Sequence, residues 1–186
     1  MDETDPARTR RLFFALWPDA ATREHLTQAL REIVPAQARA THSDDLHLTL
    51  IFLGSLDAST QHCAEQAAAL VPALVSAEPF TLTLDKLGYW QRPRILWLGA
   101  AHCPDVLLDL VSKLGQALQP CKIKRDERPY QPHLTFARKV QTAAALPALS
   151  EPIEWPVSSF VLAESQPISD GARYRVLTTW PLPAAR

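Results

Sequence analysis

The stretch Asp45-Leu46-His47-Leu48-Thr49-Leu50-Ile51-Phe52-Leu53 is an apolar, strand-like run interrupted by one histidine and one threonine. It returns as Pro132-His133-Leu134-Thr135-Phe136-Ala137-Arg138, with the same order of His, apolar, Thr, apolar 86 residues later. Side chains alternate faces along a strand, so His47 and Thr49 share one face and Leu48 and Leu50 the other. His133 and Thr135 are related in the same way. Each copy therefore presents an imidazole and a hydroxyl side by side on a segment otherwise suited to burial. A buried polar group without a partner costs roughly 1 to 3 kcal/mol, so both pairs call for compensation.

Outward from these runs the chain reads as a duplication. Upstream of the first, Arg11-Leu12-Phe13-Phe14-Ala15-Leu16-Trp17 is a buried strand stopped by Pro18. Asp19 is placed to cap a helix whose apolar stripe is Leu26, Leu30, Ile33 and Val34, ending before Pro35. A polar loop through His42, Ser43 and Asp44 leads to the first His-Thr strand, which is expected to stop at Gly54. A second helix is expected from about Thr60 to Val75 with Cys63, Ala67, Leu70 and Leu74 on its stripe, ended or kinked by Pro72. Phe80-Thr81-Leu82-Thr83-Leu84 alternates as a half-buried strand, and Gly88 to Pro93 reads as a turn or exposed loop. Then the opening pattern recurs. Arg94-Ile95-Leu96-Trp97-Leu98 is a buried strand, Pro104 and Asp105 begin a helix, and Leu107, Val111, Leu114 and Leu118 form its stripe. A basic loop from Lys122 to Pro129 delivers the chain to the second His-Thr strand, and two further strands are expected around Glu154 to Ala163 and Tyr174 to Trp180. The strand starts Leu12 and Ile95 lie 83 residues apart, close to the spacing of the histidines. Two such units packed about a pseudo-twofold axis would bring His47 and His133 into one cleft.

Composition narrows the class. A chain of 186 residues with 47% hydrophobic residues can bury one core, and 1–186 reads as a single domain with residues 1–10 as a flexible extension. Cys63, Cys103 and Cys121 are odd in number and show no C-x-x-C spacing, so neither a disulfide framework nor a zinc knuckle is expected and a reducing compartment fits. The polar start lacks the apolar region of a signal peptide and no run is long enough to span a membrane, which together point to the cytoplasm. A net charge of -1 argues against a broad basic face for coating a duplex. A local grip on one phosphate is compatible with it.

Two histidines in one cleft supply a base and an acid near neutral pH. That pairing suits displacement at phosphorus: one imidazole takes a proton from water while the other, protonated, gives one to the departing oxygen. No metal or cofactor is needed. The hydroxyls of Thr49 and Thr135 can donate to non-bridging phosphoryl oxygens, and Arg138 can add a permanent positive charge. A single His-x-Thr in an apolar strand is ordinarily structural, its polar atoms bonded to backbone; two copies in a duplicated framework reverse the balance. Phe52, Tyr130 and Trp90 can stack on a base or simply pack. The pairs His62-Cys63 and His102-Cys103 hint at metal ligands, but adjacent side chains diverge. There is no G-x-S-x-G elbow and no phosphate-cradling glycine loop, and the chain has only five glycines.

The paired motifs resemble those of the two-histidine (2H) phosphoesterase superfamily. The similarity extends through Arg11 to Leu16, Leu46 to Gly54, Phe80 to Leu84, Leu96 to Gly99 and Arg128 to Arg138, which points to the bacterial RNA 2',3'-cyclic phosphodiesterase, or 2'-5' RNA ligase, branch. The resemblance implies an α+β, bilobal fold of two antiparallel β-sheets with outer helices around a central cleft. It implies metal-independent opening of RNA 2',3'-cyclic phosphate ends to 2'-phosphates, with weak 2'-5' ligation. By the same resemblance His47 is the acid, His133 the base, Thr49 and Thr135 bind phosphate, and Arg138 matches the arginine after the second motif. The expected partners are RNA or oligonucleotide ends, tRNA-derived ends among them, acted on by a monomer without a membrane. Two other readings share the cleft: an RNA-end binding module without turnover, and a metal-dependent hydrolase using the histidines as ligands.

Overall fold

A computed structural model describes residues 9–75, 78–124, 128–141, 146, 149–166 and 173–183. Its strands are β1 (Arg10–Leu16), β2 (Arg39–Ala40), β3 (Leu48–Leu56), β4 (Phe80–Leu84), β5 (Lys86–Trp90), β6 (Ile95–Gly99), β7 (His133–Arg138), β8 (Ile153–Val157), β9 (Ser159–Ser165) and β10 (Tyr174–Pro181). The helices are α1 (Ala20–Arg31), α2 (Ala58–Leu74) and α3 (Asp105–Ala117), with 3-10 turns at Ser43–Asp45 and Gln119–Cys121. The fold is α+β and every strand pairing is antiparallel. Strands of both halves join in one sheet of order β10-β9-β1-β3-β7-β6-β5, with β2 beside β7, while β4 and β8 form a separate ribbon.

The halves meet where β3 pairs with β7 through Leu48 and Leu134. These two residues are the same position of the repeated motif, and a position can face its own equivalent only where a twofold passes between them. The flanks agree. Thr49 faces Ala15 of β1 and Thr135 faces Trp97 of β6, while Leu48 faces Leu16 and Leu134 faces Leu98. In β3 the pairing skips Leu50 between Ile51 and Thr49, and in β7 it skips Phe136 between Ala137 and Thr135. Each motif strand thus carries an irregularity one residue after its threonine, of the kind that re-aims side chains beside functional sites.

Alternation decides which face is which. Leu48, Leu50, Leu134 and Phe136 are buried in one cluster with Leu26 and Leu30 of α1 and Leu107, Leu110 and Leu114 of α3. The other face of β1 and β9 carries a smaller cluster, Phe13, Ala15, Val161 and Ala163, packed with Trp17 and Tyr174. Asp19 caps α1 as its sequence suggests, accepting from the Thr22 amide at 2.8 Å.

Several local readings change. β1 begins at Arg10, which pairs with Glu164 at 2.8 Å, so the tenth residue is not part of a free extension; residues 1–8 lie outside the described residues. β3 continues past Gly54, whose φ of 79° is available to glycine without strain. On α2 the buried residues are Ala64, Ala67, Ala68 and Val71, while Leu70 and Leu74 are 62% and 56% exposed, and the helix runs two residues beyond Pro72. The expected loop at Gly88 is part of β5, where the missing side chain admits the Trp97 ring, which a Cβ at that position would overlap. The span Glu154 to Ala163 is two strands in two different sheets, broken at Ser158. Of the basic loop, residues 125–127 lie outside the described residues.

The cysteines also depart from expectation. Cys63 of α2 and Cys121 in the turn after α3 form a disulfide across 58 residues, leaving Cys103 free. Packing of the two helices brings the Cα atoms to 5.7 Å, which linear spacing does not reveal. A structural disulfide belongs more naturally to an oxidising environment, so cysteine usage no longer argues for a reducing one. Among the described residues no helix is long and apolar enough to cross a membrane.

Candidate active site

His47 stands immediately before β3 and His133 opens β7. Their rings are held identically. Nδ1 of His47 lies 2.6 Å from the Asp45 carbonyl oxygen, and Nδ1 of His133 lies 2.8 Å from that of Gln131, two residues upstream in each case. A carbonyl only accepts, so each neutral ring carries its proton on Nδ1 and keeps the Nε2 lone pair free for proton transfer.

The surroundings of the two rings differ. His47 stacks on Trp17, with centroids 5.2 Å apart and planes 7° from parallel, and is flanked by Phe13 and Tyr174, each at 4.9 Å. Burial in this aromatic box lowers its pKa to about 4; the Asp45 carbonyl and carboxylate oppose that, and Arg138 and His133 reinforce it. His133 meets Trp90 edge-on at 4.5 Å. Its pKa is also lowered, first by burial and then by Arg138, against the hydrogen bond to Gln131.

Both histidines line a cleft of about 590 Å³ with Thr49, Thr135, Arg138 and Phe52. The structure therefore brings six of the residues singled out from sequence into one place. Trp90 and Tyr130 line a second cavity of about 720 Å³, which shares Thr49, Phe52, Ile95 and His133 with the first. Phe52 stands at the junction, 44% exposed, with the Arg11 guanidinium 4.7 Å above its ring. Tyr130 is partly committed to architecture: its hydroxyl donates to the Thr49 carbonyl at 3.1 Å, and burial raises its pKa. On the other side, the Thr41 hydroxyl donates to the Thr135 carbonyl at 3.0 Å.

Sequence reasoning missed part of the lining. Arg11, Arg39 and Arg173 join Arg138 around the cleft, against one carboxylate, Asp45. Four arginines lining one cleft with two threonines favour an anion there. Arg11 was detectable, since alternation along β1 puts it on the face of Phe13. Arg39 reaches the cleft because the two-residue β2 sets it directly opposite Arg138, and Arg173 because it precedes β10. Neither placement has a local signal. Among the described residues no group of three His, Cys, Asp or Glu side chains is placed to hold a metal ion.

This arrangement, two oriented imidazoles lining an arginine-rich cleft with two threonines on a duplicated antiparallel framework, defines a phosphoesterase-like class. Comparison with known proteins agrees. The family model of the 2'-5' RNA ligase superfamily matches residues 17–167, and the chain belongs to that family. It is similar to the RNA 2',3'-cyclic phosphodiesterase of Escherichia coli, at 33% identity over 93% of this chain and 97% of that protein. The RNA 2',3'-cyclic phosphodiesterase of Thermus thermophilus is 29% identical over 92% of this chain and 90% of its own length. The crystal structure of E. coli LigT complexed with 3'-AMP superposes with a TM-score of 0.84 at 31% identity, covering 94% of this chain and 99% of that one.

Proposed function

We propose that this protein hydrolyses RNA 2',3'-cyclic phosphate ends to 2'-phosphates by metal-independent acid-base catalysis. The observation that carries the reading is the matched pair of Nδ1-to-carbonyl bonds, which leaves two Nε2 atoms free beside the same anion site. The relatives named RNA 2',3'-cyclic phosphodiesterase support the substrate class. In this reading Nε2 of His133 takes a proton from water as the water oxygen bonds to phosphorus. The bond from phosphorus to the 3'-oxygen breaks, and His47 protonates that oxygen, giving a 2'-phosphate and a free 3'-hydroxyl. Thr49, Thr135 and Arg138 hold the non-bridging oxygens as charge accumulates. A 5'-hydroxyl in place of water gives a 2'-5' linkage, which is the weak, reversible ligation.

As the acid, His47 must take up its proton against the burial that disfavours the imidazolium. A depressed pKa makes its imidazolium a ready donor, and the negative charge of a bound phosphodiester supplies the attraction that loads the proton. The nucleobase of the terminal residue stacks on Phe52 where the two cavities join, with Trp90 and the Tyr130 ring beyond it. All of these groups come from one chain, which supports action as a monomer on RNA or oligonucleotide ends, tRNA-derived ends included.

The reading is tested by incubating the protein, in excess chelator, with a short RNA ending in a 2',3'-cyclic phosphate and separating the two possible products. The expected result is the 2'-phosphate alone. Formation of the 3'-phosphate would overturn the assignment of the leaving oxygen. Dependence on added metal would favour histidine ligands, and binding without turnover would favour an RNA-end binding module.

A further inference from the structure

The acid-base reading uses the side chains of His47 and His133 but leaves unexplained a carboxylate buried beside one of them. Asp45 ends the 3-10 turn before β3 and is 6% exposed. Its side chain reaches to the start of β10, where Oδ1 and Oδ2 accept the Arg173 amide at 2.9 and 2.8 Å and Oδ1 accepts the Tyr174 amide at 2.9 Å. Its carbonyl oxygen accepts from His47 Nδ1. Tyr174 in turn lies edge-on against His47 at 4.9 Å. One residue thus closes a loop of contacts from the imidazole through the backbone of β10 and back to the imidazole.

We infer that Asp45 is a positioning residue: its buried carboxylate ties the start of β10 to the turn before β3, and so holds Tyr174 against the His47 ring and Arg173 at the cleft. The inference rests on the acid-base reading given above. Its second support is the duplication. The equivalent position before His133 is Gln131, which is exposed and uncharged, yet its carbonyl makes the same bond. The backbone contact is therefore common to both copies and the carboxylate belongs to one. Among the charged and titratable groups facing His47, Arg138 and His133 from β7 disfavour the imidazolium and Asp45 favours it, while Phe13, Trp17 and Tyr174 supply burial. A bound anion favours both imidazoliums, and at His47 the Asp45 carboxylate offsets part of the burial that opposes the charge.

The test is Asp45→Asn in the full chain, assayed on an RNA oligonucleotide with a 2',3'-cyclic phosphate end across a range of pH. Asp45 acts on His47 through Tyr174 and the backbone, so its removal should cost about 10- to 100-fold, the lower part of the worth of a positioned acid or base. A loss of that size in kcat is expected, with the limb belonging to His47 moved to lower pH because less of the enzyme carries its proton there. Activity within about twofold of the parent, with both limbs in place and His47→Ala inactive, overturns this inference and spares the acid-base reading. A fully active His47→Ala instead overturns that reading. Should Asp45→Asn fail to fold, Tyr174→Ala decides: a loss of about 10-fold or more in kcat, with the limb belonging to His47 displaced, is expected, and kcat and both limbs unchanged overturn the inference.

Discussion

Leu48 of β3 faces Leu134 of β7 across the seam of the sheet, and the two are the same position of the repeated motif. Everything that flanks them is therefore delivered twice, once from each side: a histidine one residue earlier, a threonine one residue later, and a pairing irregularity after that. The two equivalent positions that differ most are informative. Three residues beyond the threonine, the first copy has Phe52 and the second Arg138, so one end of the cleft offers a ring and the other a guanidinium.

The threonines are expected to contribute equally, because their neighbours in β1 and β6 hold them in equivalent settings. Thr49→Val and Thr135→Val should each lower kcat by about 10- to 100-fold, below the full worth of an oxyanion donor because the cleft is open to water. Steady-state kinetics check this. A loss confined to one variant would show that only one hydroxyl meets the phosphate.

The rate should depend on pH differently for free and bound enzyme. Both histidines titrate below the ordinary value in the empty cleft, His47 at about 4, chiefly through burial. A bound anion stabilises imidazolium and raises both. The profile of kcat/KM reports the free enzyme and that of kcat the complex, so the limbs of kcat/KM should lie at lower pH than those of kcat. Paired profiles on one oligonucleotide check the sign, and coincident limbs would contradict the burial argument.

Arg138 bears on both effects at once. It is a positive charge beside both rings and lowers the pKa of each. Arg138→Ala should therefore move both limbs of kcat/KM to higher pH while weakening competitive inhibition by inorganic phosphate; Arg138→Lys should restore the limbs more fully than the phosphate affinity, since lysine keeps the charge and loses the fork. Inhibition constants and pH profiles on the two variants separate these contributions.

The disulfide is expected to serve stability alone, since neither cysteine lines either cavity. A closed loop of this length removes denatured-state entropy equivalent to about 4 kcal/mol in the chain-entropy model. Cys63→Ser should lower the unfolding free energy by about that amount or somewhat less, with kcat unchanged. Urea titration and an activity assay check both halves of the expectation.

The parts legible in the sequence are those with a short period or a long repeat. Alternation around His47 and His133 separated cleft from core, and the 86-residue spacing foretold that the two histidines share a cleft. The rest depends on distant partners. Of the expected stripe of α2, Ala67 is buried while the leucines at 70 and 74 are exposed, because the helix turns its small residues Ala64, Ala67 and Ala68 and Val71 inward. The span Glu154 to Ala163 reads as one strand, although the pair Ser158-Ser159 interrupts its apolar residues where the structure passes from β8 to β9. Arg39 and Arg173 are ordinary surface arginines until β2 pairs with β7 and Asp45 holds the start of β10.

The central claim is that both imidazoles move protons in one step. Single-turnover conversion of a cyclic-phosphate RNA, in chelator, by the unaltered protein, His47→Ala, His133→Ala and the double variant tests it most directly. Each single variant is expected to lose about 10²- to 10⁴-fold, the usual worth of a positioned acid or base. The double variant should be little worse than either, because groups acting as a unit are not additive. A single variant that retains full activity while correctly folded would contradict the account.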